Sequence, residues 1–143
     1  MTRSITPDFS TFEVPMDTWS EPFWQAGARG ETHMPRCLAC GTFRWPAGPF
    51  CPECHTQPVE WVAAGQARLY SFTILPVRGA EPDAPPAWRI PALVEFDAAP
   101  GVRLVSVLVD ADPAHVAIGD RVEVVWQPAA SASVPLFRRE DAE

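Results

Sequence analysis

The sequence contains no lysine, so all 11 basic residues are arginines, and the 18 acidic residues leave a net charge of -7. This charge opposes binding to nucleic acid, because that affinity depends mainly on cations that neutralise phosphates. The sequence also lacks any apolar run near the roughly 18 to 20 residues that span a bilayer. Its longest apolar stretch, Leu104 to Val109, is interrupted by Ser106 and has the length of a β-strand. Composition therefore predicts neither a nucleic-acid partner nor a membrane span.

Signals of export and of common catalytic sites are also missing. The first ten residues hold one arginine and no continuous apolar segment, so we see no secretory signal and expect a cytoplasmic protein. Ser, His and Asp all occur, but no nucleophile-elbow motif links them, and there is no glycine-rich phosphate loop. We therefore expect this chain alone not to be an enzyme.

The four cysteines form two CxxC pairs, Cys37 with Cys40 and Cys51 with Cys54, separated by ten residues. Disulfides are disfavoured in the cytosol, where thiols stay reduced. Two residues between thiols allow a tight turn that directs both sulfurs to one ion, and four thiolates fill a tetrahedral site. The pattern predicts one structural Zn²⁺ per chain, with iron as the alternative because a rubredoxin-like site uses the same ligands.

Each cysteine pair is followed by a residue that we expect to shape its turn. Gly41 supplies the positive φ that such turns often use, whereas His55 stands at the equivalent place in the second pair. Because four thiols are already present, we do not expect His55 to bind the metal.

The chain before the cysteines, residues 1–31, is predicted to be an extended arm followed by a short helix near residues 20–29. Ser20 is a candidate cap, and Gly27 and Gly30 are candidate stops. A helix of this length is not stable alone, so its aromatic residues must pack against something else. That surface is either the chain's own domain or another subunit, and we select the aromatic residues as candidates for a partner interface: Trp19, Phe23 and Trp24.

Residues 32–58 form the predicted zinc ribbon, and residues 59–143 have the pattern of an all-β domain. We predict strands over residues 59–63, 67–77, 90–97, 102–110, 120–127 and 134–137. Both faces of several strands are partly apolar, and this number of strands suits a five-stranded OB-fold barrel better than a sandwich. The predicted fold is thus mainly β: a short N-terminal helical segment, a rubredoxin-like zinc ribbon and an OB-fold barrel.

A proline-rich loop is expected over residues 78–87, and Trp88 and Arg89 at its end are candidates for contact with a ligand or partner. OB barrels also bind single-stranded nucleic acid through exposed aromatic residues, and Tyr70, Phe72 and Trp126 are available. The acidic charge and the absence of lysine disfavour that role.

The order of these features resembles the zinc-ribbon OB-fold proteins of acyl-CoA metabolism, the domain-of-unknown-function family numbered thirty-five. The resemblance covers nearly the whole chain, although His55 stands where the family usually has glycine. It is carried by the aromatic helix, the ribbon cysteines and the barrel segments: Glu21-Pro-Phe-Trp24, Pro35-Arg-Cys37-Leu-Ala-Cys40-Gly41, Cys51-Pro-Glu-Cys54, Gly65 to Thr73, Pro91 to Asp97 and Ile118 to Val124.

This resemblance implies a non-catalytic accessory subunit that binds a thiolase-like enzyme and helps form its acyl-CoA site. The complex would be an acyl-CoA aldolase, acyltransferase or thiolase of lipid or steroid metabolism, a hetero-oligomer with two copies of each chain. A hotdog-fold enoyl-CoA hydratase is the alternative partner. The residues alone also leave open a single-strand-binding module and a self-sufficient acyl-CoA binder or thioesterase.

Overall fold

The structure, a computed structural model, describes residues 3–79 and 81–140. Within these residues it is mostly β, with a short helix near the start and a single 3-10 turn at Pro113–His115. The helix lacks the length and hydropathy to cross a membrane, as does every helix in the described segments. The helix and strands are α1 (Glu21–Ala28), β1 (His33–Cys37), β2 (Val59–Ala63), β3 (Ala67–Phe72), β4 (Leu75–Val77), β5 (Ala87–Phe96), β6 (Ala99–Leu108), β7 (Arg121–Pro128) and β8 (Ser133–Arg139).

Five strands close into a barrel in the order β3, β5, β6, β8, β7 and back to β3. The β6–β8 pair is parallel and the other pairs are antiparallel. Alternate residues of each strand point into the barrel and form its core, as strand geometry requires. The buried side chains include Leu69, Val94, Leu104, Val122 and Phe137. The predicted five-stranded OB fold is confirmed.

The start of β5 differs from the prediction. The predicted strand over 67–77 is interrupted between β3 and β4, and β4 then pairs with residues 87–89. This pairing extends β5 back to Ala87, so Trp88 and Arg89 are strand residues and do not end a loop. The N-terminal arm also bonds to the backbone of Trp88: the N–H of Ile5 donates to the Trp88 carbonyl oxygen at 2.8 Å.

The ribbon contains a strand that the sequence did not reveal. β1 pairs antiparallel with β2, and Cys37 lies opposite Val59. The strand predicted over 59–63 therefore does not belong to the barrel, as its place in the predicted all-β domain implies, but pairs with β1. The reason is that β1 carries a proline and a metal-ligand candidate and shows little apolar alternation, so its pattern did not indicate a strand partner for β2.

Helix α1 ends at Ala28, and the predicted stop Gly30 follows it with a φ of 78° in a Schellman turn, in which the N–H of Glu31 donates to Ala26 O at 2.9 Å. Gly27 is not a stop, as it lies inside the helix. Its lack of a side chain serves packing, since a Cβ there would lie 2.4 Å from the Trp126 ring. Ser20 occupies the cap position, but its side chain makes no capping hydrogen bond.

The helix, the ribbon and the barrel meet at a cluster of aromatic rings. The Phe23 ring lies 5.0 Å from that of Trp24, 4.7 Å from that of Trp45 and 5.6 Å from that of Trp126, measured between centroids. Phe23 is 1% exposed. This corrects its placement among the partner-facing residues: the rings of the ribbon and the barrel cover it within the chain.

Candidate functional site

The four cysteine sulfurs converge at one point between the two ribbon turns. All four Sγ atoms lie within 4.8 Å of one another. The Cys37–Cys54 and Cys40–Cys51 sulfur pairs are both 3.5 Å apart. A tetrahedral ion with metal–sulfur bonds of about 2.3 Å requires sulfur separations of about 3.8 Å, so this donor set fits a single metal ion closely.

The backbone holds the two turns in the same conformation. The N–H of Cys37 donates to Thr42 O at 2.8 Å, and the N–H of Cys51 donates to Thr56 O at 2.9 Å. Each bond closes its turn five residues after the first cysteine of the pair. The turns are therefore shaped by local hydrogen bonds and need only small adjustments to bind an ion.

Hydrogen bonds at two of the four sulfurs, those of Cys37 and Cys51, favour the thiolate form, whereas the pKa of Cys40 is raised. The Thr56 hydroxyl lies 3.4 Å from Cys37 Sγ and, together with the N–H groups of Cys40 and Ala39, lowers the pKa of Cys37 to about 5. The N–H of Cys54 lowers the pKa of Cys51. Because metals bind thiolates rather than thiols, both effects prepare the site for a cation.

The two residues that follow the cysteine pairs have left-handed backbones, with a φ of 79° at Gly41 and 64° at His55. A residue with a Cβ is strained there by about 1 kcal/mol or more. We expect His55→Gly to raise the free energy of unfolding of the metal-loaded protein by roughly 0.5 kcal/mol, since added freedom in the unfolded chain offsets part of the gain.

Urea unfolding of the metal-loaded protein measures this change. Gln57→Gly is the matched control, because Gln57 is exposed in the same loop without a positive φ and should lose stability on substitution. A loss of stability in His55→Gly equal to that in the control would contradict the assignment of strain.

An apolar groove of about 350 Å³ lies between the N-terminal arm, helix α1 and the barrel strands β6 and β8. Its lining includes Phe9, Trp24, Trp45 and Val107, with Val105, 75% exposed, at its edge. The hydroxyl of Ser106, also in the lining, donates to Pro135 O at 2.6 Å. The groove therefore offers apolar surface, and its serine is already hydrogen-bonded to the backbone.

A second, polar cleft of about 450 Å³ lies near the end of β8. The charged groups of its lining are all paired: Arg3 with Asp110 at 3.8 Å, His115 with Asp112 at 2.8 Å, Arg138 with Glu123 at 2.6 Å, and Arg139 with Asp120, which lies outside the lining, at 2.9 Å. Cations and anions thus balance in the cleft, and no excess of one charge marks it for an ionic ligand.

The other predicted contact residues are distributed over different surfaces. Trp19 is 49% exposed just before α1, and Trp24 is half-buried at the groove. Trp88 is half-buried and Arg89 exposed in β5, and neither lines the groove. Sequence reasoning missed Phe9 and Trp45, because the arm and the ribbon meet the groove only through the tertiary fold.

Known proteins share this architecture. Residues 24–60 match the family model described as the rubredoxin-like zinc ribbon domain of ChsH2, and residues 61–127 match the C-terminal OB-fold domain of ChsH2. A DUF35 domain-containing scaffold protein of Methanothermobacter thermautotrophicus is 34% identical over 96 residues, which are 64% of this chain and 68% of that protein. The chain belongs to the DUF35 family. The resemblance found in the sequence is thereby confirmed.

One longer relative is named "Probable enoyl-CoA hydratase alpha subunit", from Thermomonospora curvata. It is 36% identical over 122 residues, which are 81% of this chain but 36% of the relative, so this DUF35 chain spans about a third of that protein.

Two solved structures are similar to this DUF35 chain. A chain of the "Ltp2-ChsH2(DUF35) aldolase" is 29% identical with a TM-score of 0.71, over 89% of this chain and 98% of that chain. A DUF35-family protein from Sulfolobus solfataricus is 17% identical with a TM-score of 0.62, over 87% of each chain, and shows the shared fold.

Proposed function

We propose that this chain is a non-catalytic accessory subunit that binds a thiolase-like aldolase and contributes to its acyl-CoA site. The observation that carries the proposal is the similarity, over 98% of that chain, to a component of the Ltp2-ChsH2(DUF35) aldolase. The scaffold name of the Methanothermobacter relative supports the same role. The partner complex would be a hetero-oligomer with two copies of each chain.

The chemistry of the described residues supports a non-catalytic role. Four thiolates fill a tetrahedral metal site and leave no position for water or substrate. In the groove, the Ser106 hydroxyl is bonded to a carbonyl oxygen and has no histidine beside it in the lining. In the polar cleft, His115 and Asp112 are paired, but the lining contains neither a serine nor a cysteine. The described residues therefore assemble no nucleophile with a base at either site.

We propose zinc as the metal, bound by Cys37, Cys40, Cys51 and Cys54. The similarity of residues 24–60 to a zinc ribbon domain supports this ion over iron. Its role would be structural: it would hold the two ribbon turns together, since that segment buries few apolar side chains.

The surface around α1 is the proposed interface with the enzyme. Trp19 is exposed beside it, and Trp24 forms one wall of the apolar groove. Large aromatic residues at the centre of an interface often contribute most of its affinity. The groove would take apolar parts of the acyl group or of the enzyme surface that binds it, and we retain Trp88 and Arg89 as a separate proposed contact.

We expect Trp24→Ala to weaken the complex with the aldolase about tenfold or more while the ribbon keeps its metal. The enzyme encoded by the same organism is co-expressed with the wild-type or variant chain, and the affinity and the cleavage of a β-hydroxyacyl-CoA are measured. Ile118→Ala, an exposed apolar residue before β7, is the control and should leave both unchanged. Full enzyme activity without this chain, or acyl-CoA turnover by this chain alone, would contradict the proposal.

A hotdog-fold enoyl-CoA hydratase is a second candidate partner, because the Thermomonospora relative is named as a hydratase subunit. Co-expression with such a hydratase and an assay of enoyl-CoA hydration separate the two candidates. Stimulation of hydration without stimulation of aldol cleavage would favour the hydratase. A nucleic-acid role receives no support from the net charge of -7, and its absence remains a prediction.

A further inference from the structure

The ribbon contains a buried arginine that the function described so far does not use. Arg44 lies in the loop between the two cysteine pairs and is 4% exposed. No carboxylate of the described residues lies within 4.0 Å of it, in contrast to Arg36 of the same ribbon, which pairs with Glu60 at 3.3 Å. Burying an unpaired charge costs several kcal/mol in general, so something near Arg44 must compensate it.

The hydrogen bonds of Arg44 lead directly to the cysteine site. Its Nη2 donates to Thr56 O at 3.0 Å, and its Nη1 donates to Gly48 O at 2.8 Å and to Gln57 O at 3.3 Å. Thr56 O also accepts the N–H of Cys51, and the Thr56 hydroxyl lies 3.1 Å from Cys54 Sγ. Thr56 alone therefore connects the Arg44 guanidinium group to the sulfurs of Cys37 and Cys54.

The backbone of Arg44 connects the guanidinium to the other cysteine pair as well. Its N–H donates to Pro35 O at 2.9 Å, two residues before Cys37 in β1. Arg44 thus holds the strand that enters the first turn with its main chain and the carbonyl groups of the second turn with its side chain.

Charge explains why a cation is buried at this place without a carboxylate. Carbonyl oxygens satisfy some of its donors but carry no net charge, and Arg44 Nε has no hydrogen-bond partner among the described residues. Four thiolates around a divalent ion leave an excess of two negative charges. Thr56, whose carbonyl oxygen accepts from Arg44, lies against two of these sulfurs, those of Cys37 and Cys54. The attraction between a buried guanidinium group and these thiolates is stronger than between the same charges at the solvent-exposed surface, because the protein interior screens charge less than water does.

We propose that Arg44 is the buried counter-charge of the metal centre and that it raises the affinity of the four thiolates for a divalent ion. Arg44 is a positioning residue: it acts on the ion through the charge and the arrangement of the thiolate turns. The inference rests on the proposed metal site at the four cysteines and adds to it a residue outside the ligand set.

The test measures zinc affinity by competition with a chromophoric chelator for four versions of the full chain. Arg44→Gln keeps hydrogen-bonding groups but removes the charge, and Arg44→Lys keeps the charge but cannot reach all three carbonyl oxygens. We expect Gln to weaken zinc binding about tenfold to hundredfold and Lys to restore most of this loss. Arg36→Gln is the matched control, an exposed arginine of the same ribbon, and should change the affinity less than threefold by the same measurement.

Each result decides between the charge and a purely structural role. Affinity in Arg44→Gln within threefold of wild type, or a larger loss in Lys than in Gln, would overturn the proposal. If Arg44→Gln does not fold with zinc, Arg44→Lys decides: affinity within about tenfold of wild type supports the counter-charge, and a larger loss rejects it. Failure of the wild-type chain to bind one equivalent of zinc would instead reject the metal site.

Discussion

Chelation of the metal is expected to abolish the protection of backbone amides in residues 38–58 while the barrel stays folded. Within that segment only Arg44 and Cys51 are buried, and its apolar contacts with the core come from the half-buried Phe43 and Trp45, so hydrophobic packing alone orders only part of it. Binding of a structural zinc ion contributes on the order of 10 kcal/mol in comparable small modules. The barrel, by contrast, has its own closed sheet and apolar core. Hydrogen exchange, measured with and without a chelator, follows the amides of the ribbon and of the barrel in the same experiment.

Cys51→Ser should reproduce the effect of chelation, since it removes one ligand from a buried position. Ala39→Ser is the matched control: it places a serine at an exposed position inside the first cysteine pair and should leave the metal bound. Elemental analysis gives the metal content of each variant. Native protection of residues 38–58 in a chain shown to be free of metal would contradict the structural role of the site.

Phe23→Ala is expected to lower the free energy of unfolding by about 3 to 5 kcal/mol, because it leaves a cavity where the helix, the ribbon and the barrel meet. The removed ring contacts the rings of Trp24, Trp45 and Trp126, so the loss includes three aromatic contacts as well as buried area. Urea unfolding of the metal-loaded chain measures the change, with tryptophan fluorescence as the signal.

Trp19→Ala is the control for this prediction, since Trp19 precedes the same helix but is half exposed. We expect a loss of less than about 1 kcal/mol for it in the free chain. A similar small loss in Phe23→Ala would show that the aromatic cluster does not join the three parts, and Phe23 would again be a candidate for the partner interface.

Several features could be predicted because they depend on short stretches of chain. The CxxC spacing brings two sulfurs together within each turn, and the positive φ of Gly41 and Gly30 follows from positions at a turn and a helix end. The barrel strands were predicted from alternation of apolar residues, although β3 and β4 were not separated. These signals need no knowledge of what lies across the fold.

The errors concern residues whose role depends on distant partners. The local sequence indicates a helix stop at Gly27 because its packing partner, Trp126, lies far along the chain. It indicates a loop end at Trp88 because the pairing of β5 with β4 and with Ser4 is not visible in the neighbouring residues. Arg44 was not singled out, since a single arginine in a polar loop carries no local sign of burial.

The candidate metal ligands, the OB-fold class and the family follow from the sequence alone, because ligand spacing and strand period are local properties and the matching motifs extend over most of the chain. Which aromatic residues are buried depends instead on how the helix, ribbon and barrel pack together. Phe23 and Trp24 are adjacent in the helix and both line the groove, yet Phe23 is enclosed by rings of the ribbon and barrel whereas Trp24 is only half-buried. Burial depends on which surfaces meet in space, and residues far apart in the sequence supply those surfaces.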